Sequence, residues 1–307
     1  MLEALQAVLA TASSASTAIL LAAMGGLLNR QGGIINVGLE GKMLVGAFVA
    51  VLVGVITGSS AAGVLAAAVA GGLVGLLFGW TITRLGANQI IAGLGLNVFV
   101  VGLFGYLLPV LYGVQGTFKP PGIPALPTVT IPVVSQVPLI GPILSGQDPL
   151  TYLTWLSVPL VWLFVYRTVH GLALRATGAD EEAARAAGIP TLLLRDLSTV
   201  AAGSLAGLAG AQLSLGVVQL FNKQMTGGRG FIALAAFYFG DARPAATAVG
   251  ALLFGIFQAV SFRLQASSTW PPQVVQMLPY LVVLASLGVV ALRRHRTVRV
   301  GQAGGES

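Results

Sequence analysis

The residues of this chain that could carry chemistry lie between positions 30 and 48. An amide, Asn36, and a carboxylate, Glu40, stand there among glycines, inside a long apolar region. A carboxylate at membrane depth is costly and usually faces the interior of a helix bundle or a water-filled cavity. Glycines weaken a helix and allow backbones to approach closely. The stretch therefore predicts a broken or tightly packed helix beside a transport route. The simpler alternative is a re-entrant loop whose glycines serve packing alone.

Patterns typical of catalysis or cofactor binding are missing from the sequence. The segment Gly41-Lys42-Met43 lacks the Ser or Thr that follows the lysine of a phosphate-binding P-loop. The chain has no cysteine, which excludes disulfides and thiolate metal sites. We therefore expect no catalytic residue, no metal and no cofactor. Glu40 is the one carboxylate expected at membrane depth, which is thin support for a proton relay.

Composition places the chain in a membrane. Only 8% of its 307 residues are charged and 56% are hydrophobic, whereas soluble domains carry about 25% charged residues. Because several apolar runs reach the ~20 residues that cross a bilayer, we predict an all-α polytopic membrane protein with about 8–10 transmembrane helices, some of them glycine-interrupted. The predicted organisation is a single transmembrane domain at 1–300 and a disordered tail at 301–307. The net charge of +7 fits basic residues on the cytoplasmic side and not nucleic-acid binding.

One segment, residues 113–149, is rich in proline. Proline at this density cannot form a helix interior. We therefore predict an extended loop here, on the external side of the membrane.

A second segment, residues 171–190, is hydrophilic. Asp180 suits a helix N-cap, acidic residues follow it, and Gly188 with Pro190 is a stop signal. We predict a short cytoplasmic helix at 181–187, which needs a partner surface because two turns are unstable alone. The positive-inside rule places this loop inside the cell and, through the predicted crossings, the N-terminus outside.

Glycines also recur within the predicted spans. Spacings of one to four residues predict helix-packing faces, formed by Gly71, Gly72, Gly75 and Gly79 in one run and by Gly203, Gly207 and Gly210 in another. A further cluster at 227–230 precedes an apolar piece at 231–240 that is too short to span alone. Together with Gly32-Gly33 it suggests a weak internal pseudo-repeat of the kind that marks a translocation site.

Four segments in combination resemble the permease subunits of ABC importers: Asn36-Val37-Gly38-Leu39-Glu40-Gly41, Asn88-Gln89-Ile90-Ile91, the loop at 176–189, and the stretch from Gly228 to Ala235. The resemblance covers about residues 32–292. It falls in the family serving branched-chain amino acids, ribose-type sugars and nucleosides, nearest to the nucleoside or simple-sugar branch. Family members more often carry glutamine where this chain has Lys42.

The resemblance implies an ATP-driven, alternating-access importer in the bacterial cytoplasmic (inner) membrane, with ATP bound by a partner. The expected partners are ABC ATPase subunits, a second and different permease, an extracytoplasmic solute-binding protein and membrane lipid, but no nucleic acid. The loop at 171–190 would be the coupling helix, and the residues expected to couple to the ATPase are Arg175, Gly178, Asp180, Glu181, Glu182, Ala184, Arg185 and Gly188.

The same resemblance, with the residue chemistry, suggests a substrate pathway. Its expected residues are Asn36, Gly38, Glu40, Asn97, Phe99, Gly228 and Phe231. Amides would suit a neutral hydroxylated substrate, and Phe99 or Phe231 could stack on a base. The favoured function is nucleoside import. The alternatives are a ribose-type monosaccharide permease, an ion-coupled secondary transporter that depends on Glu40, and a membrane scaffold.

Overall fold

The chain folds as a bundle of helices with very little strand. A computed structural model describes residues 2–130 and 145–267, with Pro132, Val274, Val275, Met277 and Leu281 as isolated positions. The helices are α1 Leu2–Gln31, α2 Leu39–Thr57, α3 Ser60–Thr83, α4 Gln89–Tyr112, α5 Pro149–Arg167, α6 Val169–Ala179, α7 Glu181–Ala186, α8 Thr191–Ala211, α9 Arg229–Phe239 and α10 Pro244–Ser267. A π-helical segment, Gln212–Val218, continues α8, and two short strands, β1 Thr117–Phe118 and β2 Phe221–Asn222, pair antiparallel.

Seven helices in the described part are long and apolar enough to cross a membrane: α1 to α5, α8 with its π-helical end, and α10. Helix α9 has 11 residues and, as predicted, is too short to cross alone. The all-α, multi-pass class is therefore confirmed. The predicted span at 274–292 lies outside the described residues except for four isolated positions, and the predicted tail at 301–307 lies outside them entirely.

Helix α1 is the centre of the bundle. Its side chains from Ala18 to Leu28 are buried on every side, which is the expected place for a helix that is apolar all round. Helices α5, α8, α9 and α10 pack around it. Gly25 and Gly26 let two of these neighbours approach, since a methyl group at Gly25 would lie 2.9 Å from the Ala202 backbone. A side chain at Gly26 would overlap the Phe237 ring.

Most glycines of the predicted faces join α3 to α8, the most extensive helix pair among the described residues, while Gly210 packs against Met43 of α2. A methyl group at Gly71 would overlap the Gly203 carbonyl oxygen and lie 2.9 Å from the Gly207 Cα. A methyl group at Gly75 would overlap the Thr199 carbonyl oxygen, and one at Gly79 would overlap the Thr199 side chain. Such backbone-to-backbone contact is how small residues hold transmembrane helices together. The packing-face prediction is therefore confirmed.

The proline-rich segment is extended where it is described, as predicted. What holds it is an aromatic cluster that the sequence did not indicate: Phe118 of β1 and Phe221 of β2 lie with their ring centroids 6.2 and 5.2 Å from that of Phe48 in α2. Phe104 of α4 completes the cluster, 4.7 Å from Phe48. The loop is thus fixed to the helices through its strand pairing with residues 221–222.

The predicted crossings require the loop at 171–190 and the N-terminus to lie at opposite ends of the bundle. At one end Arg84 pairs with Asp196 (3.0 Å), and Arg30 and Arg175 line one polar cavity of about 370 Å³. The start of α1 lies at the other end, where Thr11 shares a cavity with Arg263 near the end of α10. These contacts place the loop at 171–190 and the N-terminus at opposite ends of the bundle.

Replacing Gly71 with valine should weaken the α3–α8 contact. The added side chain overlaps backbone atoms that cannot rotate away, and overpacking of this kind costs about 1–3 kcal/mol. We expect a lower thermal unfolding temperature in detergent. The control is Gly102→Val in α4, because nothing lies within 4 Å of a methyl group placed at Gly102. Equal losses in the two variants would show that helix propensity, and not the contact, is responsible.

Candidate functional site

The candidate site begins where α1 ends. Gly33 has a left-handed φ of +76°, and its N–H donates to the Arg30 carbonyl (3.1 Å) while Ile34 N–H donates to the Asn29 carbonyl (2.9 Å). These two bonds define a Schellman turn, which ends helices at glycine. The break after α1 is therefore built by glycine geometry.

Residues 32–38, the α1–α2 loop, then run alongside α9. Gln31 Nε2 donates to the Ala242 carbonyl just beyond the end of α9 (2.8 Å). At the other end, Glu40 contacts the first turn of α9. The loop therefore covers the length of α9, about 16 Å at 1.5 Å per residue. Glu40 thus joins the glycine-rich stretch at 30–48 to the second glycine cluster at 227–230.

The backbone of this loop is satisfied by amide side chains. Ile35 N–H donates to Gln89 Oε1 (2.7 Å), and the Val37 carbonyl accepts from Asn97 Nδ2 (3.0 Å). Irregular backbone within a membrane bundle persists only where such partners or water replace the missing helix bonds. Gln89 and Asn97, both on α4, therefore keep the loop in place.

Asn97 also caps α2. The N-cap position of α2 is Gly38, which has no side chain to offer, and Asn97 Oδ1 accepts instead from Gly41 N–H (2.8 Å). The approach is close: a methyl group at Gly93 would lie 2.8 Å from Gly38 N. The cap that is normally local is thus supplied from another helix, and both functional groups of the Asn97 amide are used.

Glu40 caps α9 in the same manner. The N-cap of α9 is Gly228, with a left-handed φ of +79° and no side chain. Glu40 Oε1 accepts from Gly228 N–H (2.7 Å) and Oε2 from Gly230 N–H (2.6 Å). A carboxylate at a helix N-terminus is favoured by the helix dipole and by charge-assisted hydrogen bonds. Both carboxylate oxygens are therefore occupied by the start of α9.

Asn36 of the α1–α2 loop and Lys42 of α2 form a buried pair close to the junction, the place where α2, α4 and α9 meet. Both side chains are fully buried. Lys42 Nζ donates to Asn36 Oδ1 (2.9 Å) and lies 3.9 Å from the centroid of the Phe78 ring. Asn36 Nδ2 donates to Asn29 Oδ1 (2.6 Å). The salt bridges of the described residues do not include Lys42, so an amide oxygen and an aromatic face hold its amine.

The structure brings together five of the seven residues expected along the substrate pathway: Asn36, Gly38, Glu40, Asn97 and Gly228. It does not bring the two aromatic residues to them. Phe99 is 63% exposed on the outer face of α4 and Phe231 is 42% exposed on α9. Asn36, Asn97 and Glu40 therefore hold the junction of α2, α4 and α9 together, whereas the two phenylalanine rings lie on accessible faces of their helices.

The predicted short helix in the loop at 171–190 is confirmed as α7, Glu181–Ala186. Asp180 Oδ1 accepts from Ala183 N–H (3.0 Å), as expected of an N-cap. Ala184 is buried, whereas Glu182, Arg185 and Gly188 are exposed. A salt bridge between Glu181 and Arg185 (2.7 Å) spans one turn.

The preceding residues needed a correction, because 169–179 form helix α6 and not loop. Thr168 Oγ1 caps it by accepting from Gly171 N–H (3.0 Å). Gly171 packs against the Val165 backbone and Gly178 against Gln31, so these glycines allow close packing and do not break the helix. Arg175 is held by the Val165 carbonyl (3.1 Å) and lies over the Tyr166 ring.

Several residues of the site were not identified from the sequence. Gln89 and Asn29 hold the α1–α2 loop through Ile35 and Asn36. Ser198 supports Asn29, and Lys42 donates to Asn36. The sequence could have indicated a role for Lys42, since a lysine within a transmembrane span is as unusual as a carboxylate there. No pattern indicated Asn29 or Ser198, because amides and hydroxyls at helix ends are ordinary.

Comparison with known proteins agrees with this architecture. The family model for the branched-chain amino acid transport system, permease component, matches residues 8–287. The chain belongs to this family. A relative from Haloferax volcanii, named provisionally as a glucose ABC transporter permease protein, is 33% identical over 91% of this chain and 90% of its own length. A nucleoside ABC transporter permease protein of Lactococcus lactis is 30% identical over 93% and 92%. A guanosine ABC transporter permease protein of Bacillus subtilis is 29% identical over 88% and 87%.

Family membership decides the class of protein. The chain is a permease component of a transport system, and its long apolar helices make it a multi-pass membrane protein. As a permease component it is a transport subunit and not a catalytic one.

Replacing Glu40 with glutamine should loosen the start of α9 in this permease. The variant keeps the size of the side chain but turns one amide NH₂ toward a backbone N–H, and hydrogen bonds to charged groups contribute about 1.5–3 kcal/mol. We expect a lower thermal unfolding temperature in detergent. Glu182→Gln, at an exposed carboxylate on α7, is the control. Unchanged unfolding of Glu40→Gln would mean that the carboxylate does not hold α9.

Proposed function

We propose that this permease is the membrane-spanning subunit of an ATP-driven importer of nucleosides, with simple sugars as the second candidate. The observation that carries the proposal is the similarity, over about nine tenths of the chain, to permeases named for nucleoside, guanosine and glucose transport. Two of these three relatives carry nucleoside names, which favours that substrate class.

The geometry of Glu40 argues against an ion-coupled carrier. A proton relay needs a carboxylate that can exchange its proton with a neighbour or with water during each cycle. Both oxygens of Glu40 instead accept backbone hydrogen bonds from α9. The carboxylate therefore has a structural task that protonation would disrupt.

A separate ATPase subunit would hydrolyse ATP and bind the permease through α7. The exposed residues Glu182, Arg185 and Gly188 would face that subunit, and the buried Ala184 anchors the helix to the bundle. Movement of α7 would switch the permease between outward- and inward-facing states.

The substrate pathway would lie beside the junction of α2, α4 and α9. In this scheme Asn36, Gly38, Asn97 and Gly228 shape the junction, and Phe99 and Phe231 offer exposed rings on which a base could stack. The apolar outer face of α4 is suited to lipid or to a second permease of different sequence. An extracytoplasmic solute-binding protein would deliver substrate over the proline-rich loop, in the bacterial cytoplasmic membrane.

Uptake in cells expressing this chain with its partner subunits tests the proposal. We expect accumulation of labelled adenosine that is lost when the P-loop lysine of the ATPase subunit is replaced, because hydrolysis drives the transport. Labelled ribose and glucose, measured in parallel, distinguish the sugar alternative. Adenosine uptake that persists with the disabled ATPase would contradict an ATP-driven importer.

Replacing Ala184 with proline should uncouple ATP hydrolysis from uptake. Ala184 N–H donates to the Asp180 carbonyl (3.1 Å), and proline removes this bond and disrupts the helix. We expect uptake to fall at least about tenfold, equivalent to ~1.4 kcal/mol of lost coupling, while the permease still assembles. Ala186→Ser, at an exposed position of the same helix, is the control. Normal uptake with Ala184→Pro would remove α7 from the coupling mechanism.

A further inference from the structure

Two sets of hydrogen bonds, joined through the side chain and backbone of Arg195, connect α7 to the interior of α2. Glu181, the first residue of α7, pairs with Arg195 of α8. The Arg195 carbonyl accepts from Ser198 Oγ (2.8 Å), which in turn accepts from Asn29 Nδ2 (3.0 Å). Asn29, Asn36 and Lys42 complete the second set through the bonds described above. We call this set the buried chain: Glu181, Arg195, Ser198, Asn29, Asn36 and Lys42.

The donor at one end, Lys42, and the acceptor at the other, the Arg195 carbonyl, fix the direction of the hydrogen bonds between them. An ammonium or amine facing an amide oxygen acts as donor, so Asn36 must present its oxygen to Lys42 and its NH₂ to Asn29. Asn29 must then donate to Ser198, whose hydroxyl donates to the Arg195 carbonyl. Hydrogen bonds aligned in one direction polarise and strengthen one another in a medium of low dielectric. Removing the donor at position 42 therefore weakens the hydrogen bonds that run from Asn36 to the Arg195 carbonyl.

A second contact joins the same two regions. Gly178, next to the end of α6, lies directly on the turn that begins the α1–α2 loop. A methyl group there would overlap the Gln31 carbonyl oxygen and lie 2.8 Å from Gly33 N. Because backbone meets backbone, no side-chain rotation can absorb a shift of α6. Displacement of the α6–α7 segment must therefore reach the loop that carries Asn36.

We propose that Lys42 is a positioning residue that couples α7 to the α1–α2 loop through the buried chain, so that displacement of α7 changes the conformation of that loop. This rests on the docking of α7 on an ATPase subunit proposed above. The loop lies between α4 and the start of α9, with Asn97 and Glu40 at its end. A shift of the loop therefore moves the caps of α2 and α9 together. The buried lysine thus has a task in energy coupling besides its part in the fold.

The test uses the complete transporter in lipid vesicles and a reporter that does not depend on the substrate. The chain has no cysteine, so Ile35→Cys, a half-buried position in the loop, gives a single thiol on this subunit when cysteine-free partners are used. The rate of its reaction with N-ethylmaleimide is compared without nucleotide and with ATP plus vanadate. Docking is followed separately by cross-linking Ala183→Cys, on the exposed side of α7, to a cysteine on the ATPase.

Four substitutions in the Ile35→Cys background decide the matter. Lys42→Met keeps the bulk and removes the donor, and Ser198→Ala interrupts the chain at a second point with little loss of volume. Lys42→Gln retains an NH₂ group that can donate to Asn36. Ser214→Ala is the matched control, because this buried hydroxyl bonds to the Ala211 carbonyl (3.4 Å) and is not part of the chain.

We expect the nucleotide-dependent change in labelling rate to shrink at least about fivefold in Lys42→Met and Ser198→Ala, the lower end of ordinary coupling factors. It should persist in Lys42→Gln and Ser214→Ala. When the same four substitutions are made separately in the Ala183→Cys chain, the cross-link to the ATPase should form in all four. Unfolding temperatures identify any variant that fails to fold. If Lys42→Met fails to fold, the result for Ser198→Ala decides. A full nucleotide response in Lys42→Met or in Ser198→Ala, with the cross-link intact, overturns this proposal alone. Loss of the response in the otherwise unsubstituted Ile35→Cys chain, together with loss of the cross-link in the otherwise unsubstituted Ala183→Cys chain, overturns the docking of α7 as well.

Discussion

The start of a helix inside a membrane protein leaves backbone N–H groups that water cannot reach, and the rest of this structure depends on how they are satisfied. Helices α2 and α9 both begin at glycine, which has no side chain to cap them. Asn97 and Glu40 perform that function from other helices. Since each unsatisfied group in such surroundings costs several kcal/mol, the two caps tie α2, α4 and α9 into one unit.

Close packing by small residues makes this arrangement possible. Glycines of α3 and α8 bring the two backbones into contact, and Gly38 and Gly93 do the same for α2 and α4. Only at such distances can a short amide such as Asn97 reach two backbone groups of another helix. The glycines and the polar side chains are thus parts of one design, in which close approach replaces water as the source of hydrogen bonds.

The same constraint links structure to transport. A loop that is held by side chains from several helices has no independent conformation, so moving one neighbour changes the loop or breaks its bonds. The α1–α2 loop has this property, because its bonds come from α1, α2 and α4. Its far end meets α6 at Gly178. Motion imposed at the loop containing α7 therefore has a short physical route to the junction beside the proposed pathway.

The sequence by itself determined the class of protein, the positions of most spans, the glycine packing faces and the N-cap of α7, because each follows from composition, period or neighbours along the chain. It also indicated that Asn36, Glu40 and Asn97 belong to a special region. Only the tertiary structure decided what they do, since Glu40 accepts a hydrogen bond from Gly230, which lies 190 positions further along the chain. The helix α6, the pairing of β1 with β2, and the chain from Lys42 to Glu181 likewise depend on contacts between distant segments. No local pattern encodes such contacts, because what fixes them is the cost of leaving polar groups unpaired once the helices have packed, which pairing between distant segments avoids.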